Sequence, residues 1–342
     1  MARVDVHAHF VPEFYREALI SAGQGRPDGI PAIPEWSEDA ALRLMDQLDI
    51  ETAVLSISSP GVHLGDPSAA IALSRRCNEE ASRLKTRHSG RIGYFGCLPL
   101  PEIESSVAEA VRALDELDAD GVVLLSNHRG AYLGDPRLDP LFEELNRRSA
   151  VVFLHPTSPC RPSGPLGYPA PLLEFMFDTT RSVVDLILSG RFDQLTDVRV
   201  VVPHAGAALP VLANRVELLA PIIGRPAQQP PKVVDALRKM YYDVAGAPVP
   251  HLLTALLQIT DTSHLLYGSD FPFTPPVAVV RLAALLDETT ALDDRARDAL
   301  MSGNARTLLG AGAGAGRPPA AANALTNTAE AGRQDRAERS TA

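Results

Sequence analysis

The chain alternates two kinds of hydrophobic segment. Short apolar runs rich in Val, Ile and Leu read as buried strands, and longer stretches with apolar residues three and four apart read as amphipathic helices. Strict alternation of the two marks βα units around a parallel sheet. Strands are expected over residues 3–9, 52–57, 91–98, 121–125, 150–154, 198–203, 241–244 and 264–268. Helices are expected from Ser37 to near Leu48, from Pro67 to Arg87, over 103–117 and from Leu138 to Arg148. They continue up to Gly190 and over 208–219, 231–239, 249–258, 276–286 and 292–308. Ser37 has the chemistry of an N-cap, with Glu38 and Asp39 in the first turn, and Gly190 is a good C-terminal stop. Eight strands, each followed by helix, predict a (β/α)8 TIM barrel of the α/β class, occupying residues 1–310. An open doubly wound sheet is the rival, but no GxGxxG follows the first strand, so nothing supports a dinucleotide site.

Two segments stand outside this rhythm. Phe10 to Trp36 is a Gly/Pro-rich insertion after strand one, and 156–171 is a Pro-rich loop. From Ala311 the chain becomes Ala/Gly-rich, then polar and charged, without aromatic residues; residues 311–342 are expected to form a disordered tail.

Composition narrows the function classes. The formal net charge is −10 and there is no basic block, which argues against nucleic acid and against anionic membranes as partners. No apolar run approaches the ~20 residues needed to span a bilayer. Cys77, Cys97 and Cys160 are far apart, odd in number and form no CxxC pair. With no secretory signal after Met1, they read as idle thiols of a cytoplasmic protein.

The chemistry collects at strand ends. In Asp5-Val6-His7-Ala8-His9 the two histidines are two apart on a strand, so both imidazoles point to one side. His155, His204 and Asp270 each lie at the C-terminal end of an expected strand. In a parallel barrel those ends gather on one face, where active sites form. His7, His9, His155 and Asp270, with His204 beside them, are the candidate metal centre. Such nitrogen and oxygen donors around an open position suit one catalytic Zn²⁺, and Mn²⁺ is also compatible. Strand four offers no Lys or Glu to bridge two metals. His63 and His128 follow strands two and four on the same expected face, and Trp36, Phe10 and Phe271 offer an apolar wall for a ring.

This constellation resembles the amidohydrolase superfamily, and in detail its decarboxylase branch. The resemblance rests on Asp5-Val6-His7-Ala8-His9-Phe10-Val11-Pro12, His155-Pro156, His204-Ala205-Gly206-Ala207-Ala208-Leu209-Pro210 and Gly268-Ser269-Asp270-Phe271-Pro272. Residues 27–36, 56–63 and 177–181 are similar to the 6-methylsalicylate type within that branch. The resemblance implies non-oxidative loss of CO₂ from a small aromatic carboxylic acid, with His7, His9, His155 and Asp270 holding the metal. Asp270, facing the substrate from strand eight, and then His204 are the candidate proton-handling residues. The branch often has Arg at the position of Arg215, which with His63, Trp36 and Phe271 makes the candidate contacts to the substrate. The resemblance also implies a homodimer. One departure stands out: the resorcylate type carries Glu three residues after the strand-six histidine, where this chain has Ala207. An acidic partner for His204 therefore has to come from elsewhere. Hydrolysis of an amide, ester or lactone on the same barrel is the alternative chemistry, since one fold hosts both.

Overall fold

The computed structural model describes residues 2–160, 167–223 and 232–314. Eight parallel strands follow one another in chain order around a single sheet. They are β1 (Arg3–His9), β2 (Ile50–Ser56), β3 (Ile92–Cys97), β4 (Gly121–Leu125), β5 (Val151–His155), β6 (Arg199–Val202), β7 (Tyr241–Asp243) and β8 (Leu265–Leu266). A lone parallel bridge between Asp5 and Tyr267 closes the ring, with the Val6 amide donating to the Tyr267 carbonyl at 3.0 Å. The strands are buried almost throughout because helices cover their outer face while side chains fill the inside. Phe95 and Phe153 stack within that interior, with ring centroids 5.3 Å apart. The (β/α)8 expectation is met.

The helices are α1 (Glu13–Ser21), α2 (Glu38–Gln47), α3 (Pro67–Arg87), α4 (Ile103–Asp115), α5 (Asp139–Arg147) and α6 (Glu174–Leu188). They continue as α7 (Leu209–Ile223), α8 (Val233–Leu237), α9 (His251–Leu256), α10 (Pro276–Glu288), α11 (Asp294–Asp298) and α12 (Asn304–Gly314). Ser37 caps α2 by accepting from the Ala40 amide at 3.2 Å, and Asp66 caps α3 by accepting from Ala69 at 2.7 Å.

Three expectations need correction. The insertion after β1 contains α1, because Tyr15 and Leu19, four apart, bury one face of it; only the chain beyond it is Gly/Pro-rich. A short antiparallel hairpin, Asn127–His128 with Ala131–Tyr132, follows β4 and was not expected. The last helix runs to Gly314, past the Ala311 where the tail is expected to begin. Residues 315–342 of that tail, and 161–166 of the Pro-rich loop, lie outside the described residues. No helix among the described residues is long and apolar enough to cross a membrane.

Candidate metal centre

His7 and His9 leave the inner face of β1 two residues apart, as a pleated strand requires. His155 ends β5, and Asp270 lies four residues beyond β8. One donor atom from each of the four falls within 4.8 Å of the others. Asp270 adopts φ 58°, and its amide donates to the His7 carbonyl at 2.7 Å, which turns its carboxylate onto the two imidazoles. Its Oδ1 lies 3.1 Å from His9 Nε2 and 3.4 Å from His7 Nε2.

The orientation of the three rings is informative. His7 Nδ1 is 3.0 Å from Asp243 Oδ2, His9 Nδ1 is 2.9 Å from Ser56 Oγ, and His155 Nδ1 is 2.7 Å from the Pro156 carbonyl. Each Nδ1 is thus occupied by an oxygen, leaving Nε2 for the shared point. Imidazole ligands of metals are fixed in this way, with the second nitrogen donating to a carboxylate or carbonyl. His7 Nε2 is buried with no hydrogen-bond partner. A buried nitrogen without a partner is costly unless something else occupies its lone pair. The donor set therefore fits a divalent metal ion. Gly268 makes room for the His7–Asp243 pair: a Cβ there would fall 2.8 Å from the His7 Cβ and 3.2 Å from Asp243 Oδ1.

Charge in this group is strongly polarised. Burial holds His9 and His155 below the ordinary imidazole range, and neighbouring imidazoles add to this. Burial also opposes a charge on His7, but Asp243 and Asp270 outweigh it and lift His7 to about 10. Burial would raise Asp270, yet His7 and His9 hold it well below the carboxylate range. Burial likewise resists the charge on Asp243, which is nevertheless held low by His7. The centre thus keeps its carboxylates ionised around a positive point.

His204 sits at the rim, its ring 5.1 Å from that of His7. His204, Ala205 and Ala207 all lie at φ between 51° and 54°, a left-handed turn that brings the imidazole back over the strand ends. The acidic neighbour missing at Ala207 is not supplied to the ring by Asp243, whose Oδ1 accepts from the His204 amide at 3.2 Å. That contact fixes the backbone; His204 Nδ1 itself is buried without a partner. Burial first, then His7, lowers His204 to about 4, so the ring is neutral.

Beside the centre lies a cavity of about 180 Å³ over the ends of β2 to β5. Its wall includes Ile57, Val62, Leu98, Leu100, Val123 and Leu125, with His63, His128 and Arg129 among the polar groups. The four metal-ligand candidates do not line it; Thr157, two residues after His155, and Ile57, next to Ser58, do, and Ser58 Oγ lies 3.4 Å from His155 Nε2. His63 thus stands where a substrate contact is expected.

The other three expected contacts stand elsewhere. Trp36 packs edge-on against Phe10 at 6.1 Å, and neither ring lines the cavity. Phe271 is buried in the core, and Phe273 packs against His9 at 5.4 Å. Arg215 is exposed on α7 and lines no part of the cavity of its own chain. Adjacency to a site residue in sequence does not fix the direction of a side chain.

Asp243 is the residue that sequence reasoning missed. Its signal was a charged residue at the end of an otherwise apolar strand. Replacing it by Asn leaves His7 without its anionic partner, and a loss of metal affinity of about 10- to 100-fold is expected. Metal titration of the apo D243N protein against wild type measures this; equal affinities would show that Asp243 serves only the backbone.

The comparisons with known proteins accord with this geometry. The amidohydrolase family model matches residues 4–311. The 6-methylsalicylic acid decarboxylase acuB of Aspergillus aculeatus is 36% identical over 305 residues, covering 84% of this chain and 90% of its own. The crystal structure of an amidohydrolase II superimposes with a TM-score of 0.86 at 35% identity, covering 90% of this chain and all of the other. A dihydroxybenzoic acid decarboxylase from Polaromonas sp. JS666, solved with manganese and 2-nitroresorcinol, shares the fold, with a TM-score of 0.76. It is 23% identical and covers 90% of this chain and 97% of its own. By the extent of that family match, this chain belongs to the amidohydrolase family.

Proposed function

We propose that this protein is a metal-dependent, non-oxidative decarboxylase of small aromatic carboxylic acids, a carboxy-lyase. Its proposed reaction converts 6-methylsalicylate to 3-methylphenol and CO₂. The observation that carries the reading is the convergence of three imidazoles and one carboxylate near a cavity of about 180 Å³ with both apolar and polar walls. The identity to 6-methylsalicylic acid decarboxylase over most of both chains supports the substrate. His7, His9, His155 and Asp270 are assigned as holders of one divalent ion. Zn²⁺ is proposed for the three imidazoles, and the manganese of the Polaromonas relative makes Mn²⁺ the alternative. When bound, such an ion supplies positive charge for a carboxylate and an ortho hydroxyl.

The chain's own residues then have to move one proton. Loss of CO₂ from an aryl carboxylate needs a proton at the ring carbon that bears it, so that the C–C bonding pair can return to the ring. Asp270 is held ionised, and one of its oxygens is steadied by the Thr274 hydroxyl at 3.1 Å. We assign it to accept the proton of the ortho hydroxyl and deliver it to the ring carbon. Cleavage of the C–C bond then releases CO₂ and leaves the phenolate, which water reprotonates. Neutral His204, with a free ring nitrogen at the rim, is the second proton-handling group. The apolar cavity wall excludes water from the ring.

Two features outside the centre complete the proposal. Val211, Leu218 and Ile222 are exposed on the same face of α7 as Arg215. This apolar stripe suits burial against a second copy of the chain, and a homodimer is proposed. Free Cys77, Cys97 and Cys160 fit a cytoplasmic location.

The test incubates metal-replete protein with 6-methylsalicylate and follows CO₂ and 3-methylphenol by mass spectrometry, with metal-stripped protein as control. Metal-dependent appearance of both products in equal amounts is expected. Hydrolysis of lactones or esters by protein that leaves all hydroxybenzoates intact would overturn the reading.

A further inference from the structure

The cavity has a polar end that the proposed mechanism leaves unused. His63 and His128 line it from the loops after β2 and β4. The side chain of His63 is only 9% exposed, and His128 is equally buried. His63 Nδ1 and His128 Nε2 are both buried without a hydrogen-bond partner. Two unpartnered imidazole nitrogens in one cavity are a recognition element awaiting a polar group. The remaining His63 nitrogen faces Glu102 at 3.6 Å.

The chemistry of that group can be narrowed. Burial, reinforced by His63, pushes His128 down to about 3, so its ring is neutral and offers one donor and one acceptor. A carboxylate placed here would lack a buried cation, since Arg129 is exposed at the rim. A hydroxyl, itself donor and acceptor, matches two such nitrogens. The hairpin carrying His128 is also held in place: Asn127 Nδ2 donates to Asp178 Oδ2 at 2.8 Å and to the Ser158 carbonyl at 3.1 Å.

Position follows from the layout. Three of the metal-ligand candidates come from β1 and the end of β8, whereas the cavity lies over β2 to β5. An acid whose carboxylate and ortho hydroxyl, at ring positions 1 and 2, face the centre turns positions 4 and 5 farthest from it. We propose that His63 and His128 form a hydroxyl subsite for position 4 or 5 of a salicylate-type acid, so that dihydroxylated acids are the preferred substrates. The ring orientation rests on the decarboxylase reading.

The test separates binding from turnover. Calorimetric titration of the metal-replete full chain with 3-methylphenol, 5-methylresorcinol and 2-methylhydroquinone measures the subsite without any reaction. Wild type is expected to bind one of the two diols at least about tenfold more tightly than 3-methylphenol. In His63→Phe and His128→Phe that ratio should fall to within about threefold of unity. Thermal midpoint and metal content report folding of each variant. Equal binding of all three phenols by wild type, no binding of any, or a ratio retained in both variants would overturn the subsite. The corresponding acids are then assayed for CO₂ release. A diol preference in binding with no decarboxylation of any acid would sink the decarboxylase reading and leave the subsite standing.

Discussion

Asp270→Asn should reduce decarboxylation by about 10²- to 10⁴-fold, the usual worth of a positioned proton-transfer group. Asparagine preserves the shape of the side chain and can keep the Thr274 contact to its oxygen at 3.1 Å. It removes the negative charge that lies 3.1 Å from His9 Nε2 and 3.4 Å from His7 Nε2. It also removes the ability to carry a proton at neutral pH. Two losses are therefore combined, and they separate experimentally. Metal content after dialysis reports the ligand role, and kcat at saturating metal reports the proton role. A wild-type kcat once the metal is restored would leave Asp270 as a ligand alone and transfer the proton to His204.

The largest expected loss of stability lies away from the centre, at Asp178. Its carboxylate is fully buried on α6 and accepts from the Ser126 hydroxyl, from Asn127 Nδ2 at 2.8 Å and from the Tyr132 hydroxyl at 2.6 Å. Ser126 in turn accepts from the Thr157 amide at 3.0 Å. One anion thus ties the hairpin after β4 to the loop after β5. Asp178→Ala leaves three buried donors without an acceptor. Each hydrogen bond to a charged group is worth about 1.5–3 kcal/mol, but the network is not additive and relief of the buried charge offsets part of the sum. A net destabilisation of about 3 kcal/mol is expected. Urea unfolding of the variant against wild type measures it. A change under about 0.5 kcal/mol, as for an ordinary surface substitution, would refute the network's importance.

Much of this architecture was legible before any coordinates. The eight strands were visible because parallel barrel strands are buried on both faces and form continuous apolar runs. Of the four metal-ligand candidates, His7 and His9 were visible because a two-residue spacing on a strand puts both side chains on one side, and His155 and Asp270 because they follow the C-terminal ends of expected strands. The orienting groups were not. Ser56 reaches His9 from the neighbouring strand β2 and Asp243 reaches His7 from β7, two strands round the ring, and spacing within one segment carries no information about such partners. Helix α1 was hidden because the Gly and Pro residues beyond Ser21 dominate the average composition of the insertion. Trp36 and Phe271 were placed at the substrate because they lie close in sequence to expected site segments. The structure turns Trp36 onto Phe10 and Phe271 into the core.

The seam where β8 meets β1 has a consequence for how the enzyme comes into being. The first two imidazoles lie on the first strand of the barrel, and the carboxylate that faces His9 follows 261 residues later in the chain. No stretch of the chain that ends ahead of Asp270 contains the whole centre. A chain that stops just ahead of Asp270 keeps all eight strands and most of its core residues, yet it lacks the carboxylate of the centre. Activity is therefore a readout of the finished ring, and loss of activity registers a failure to join its two ends even where most of the barrel has formed.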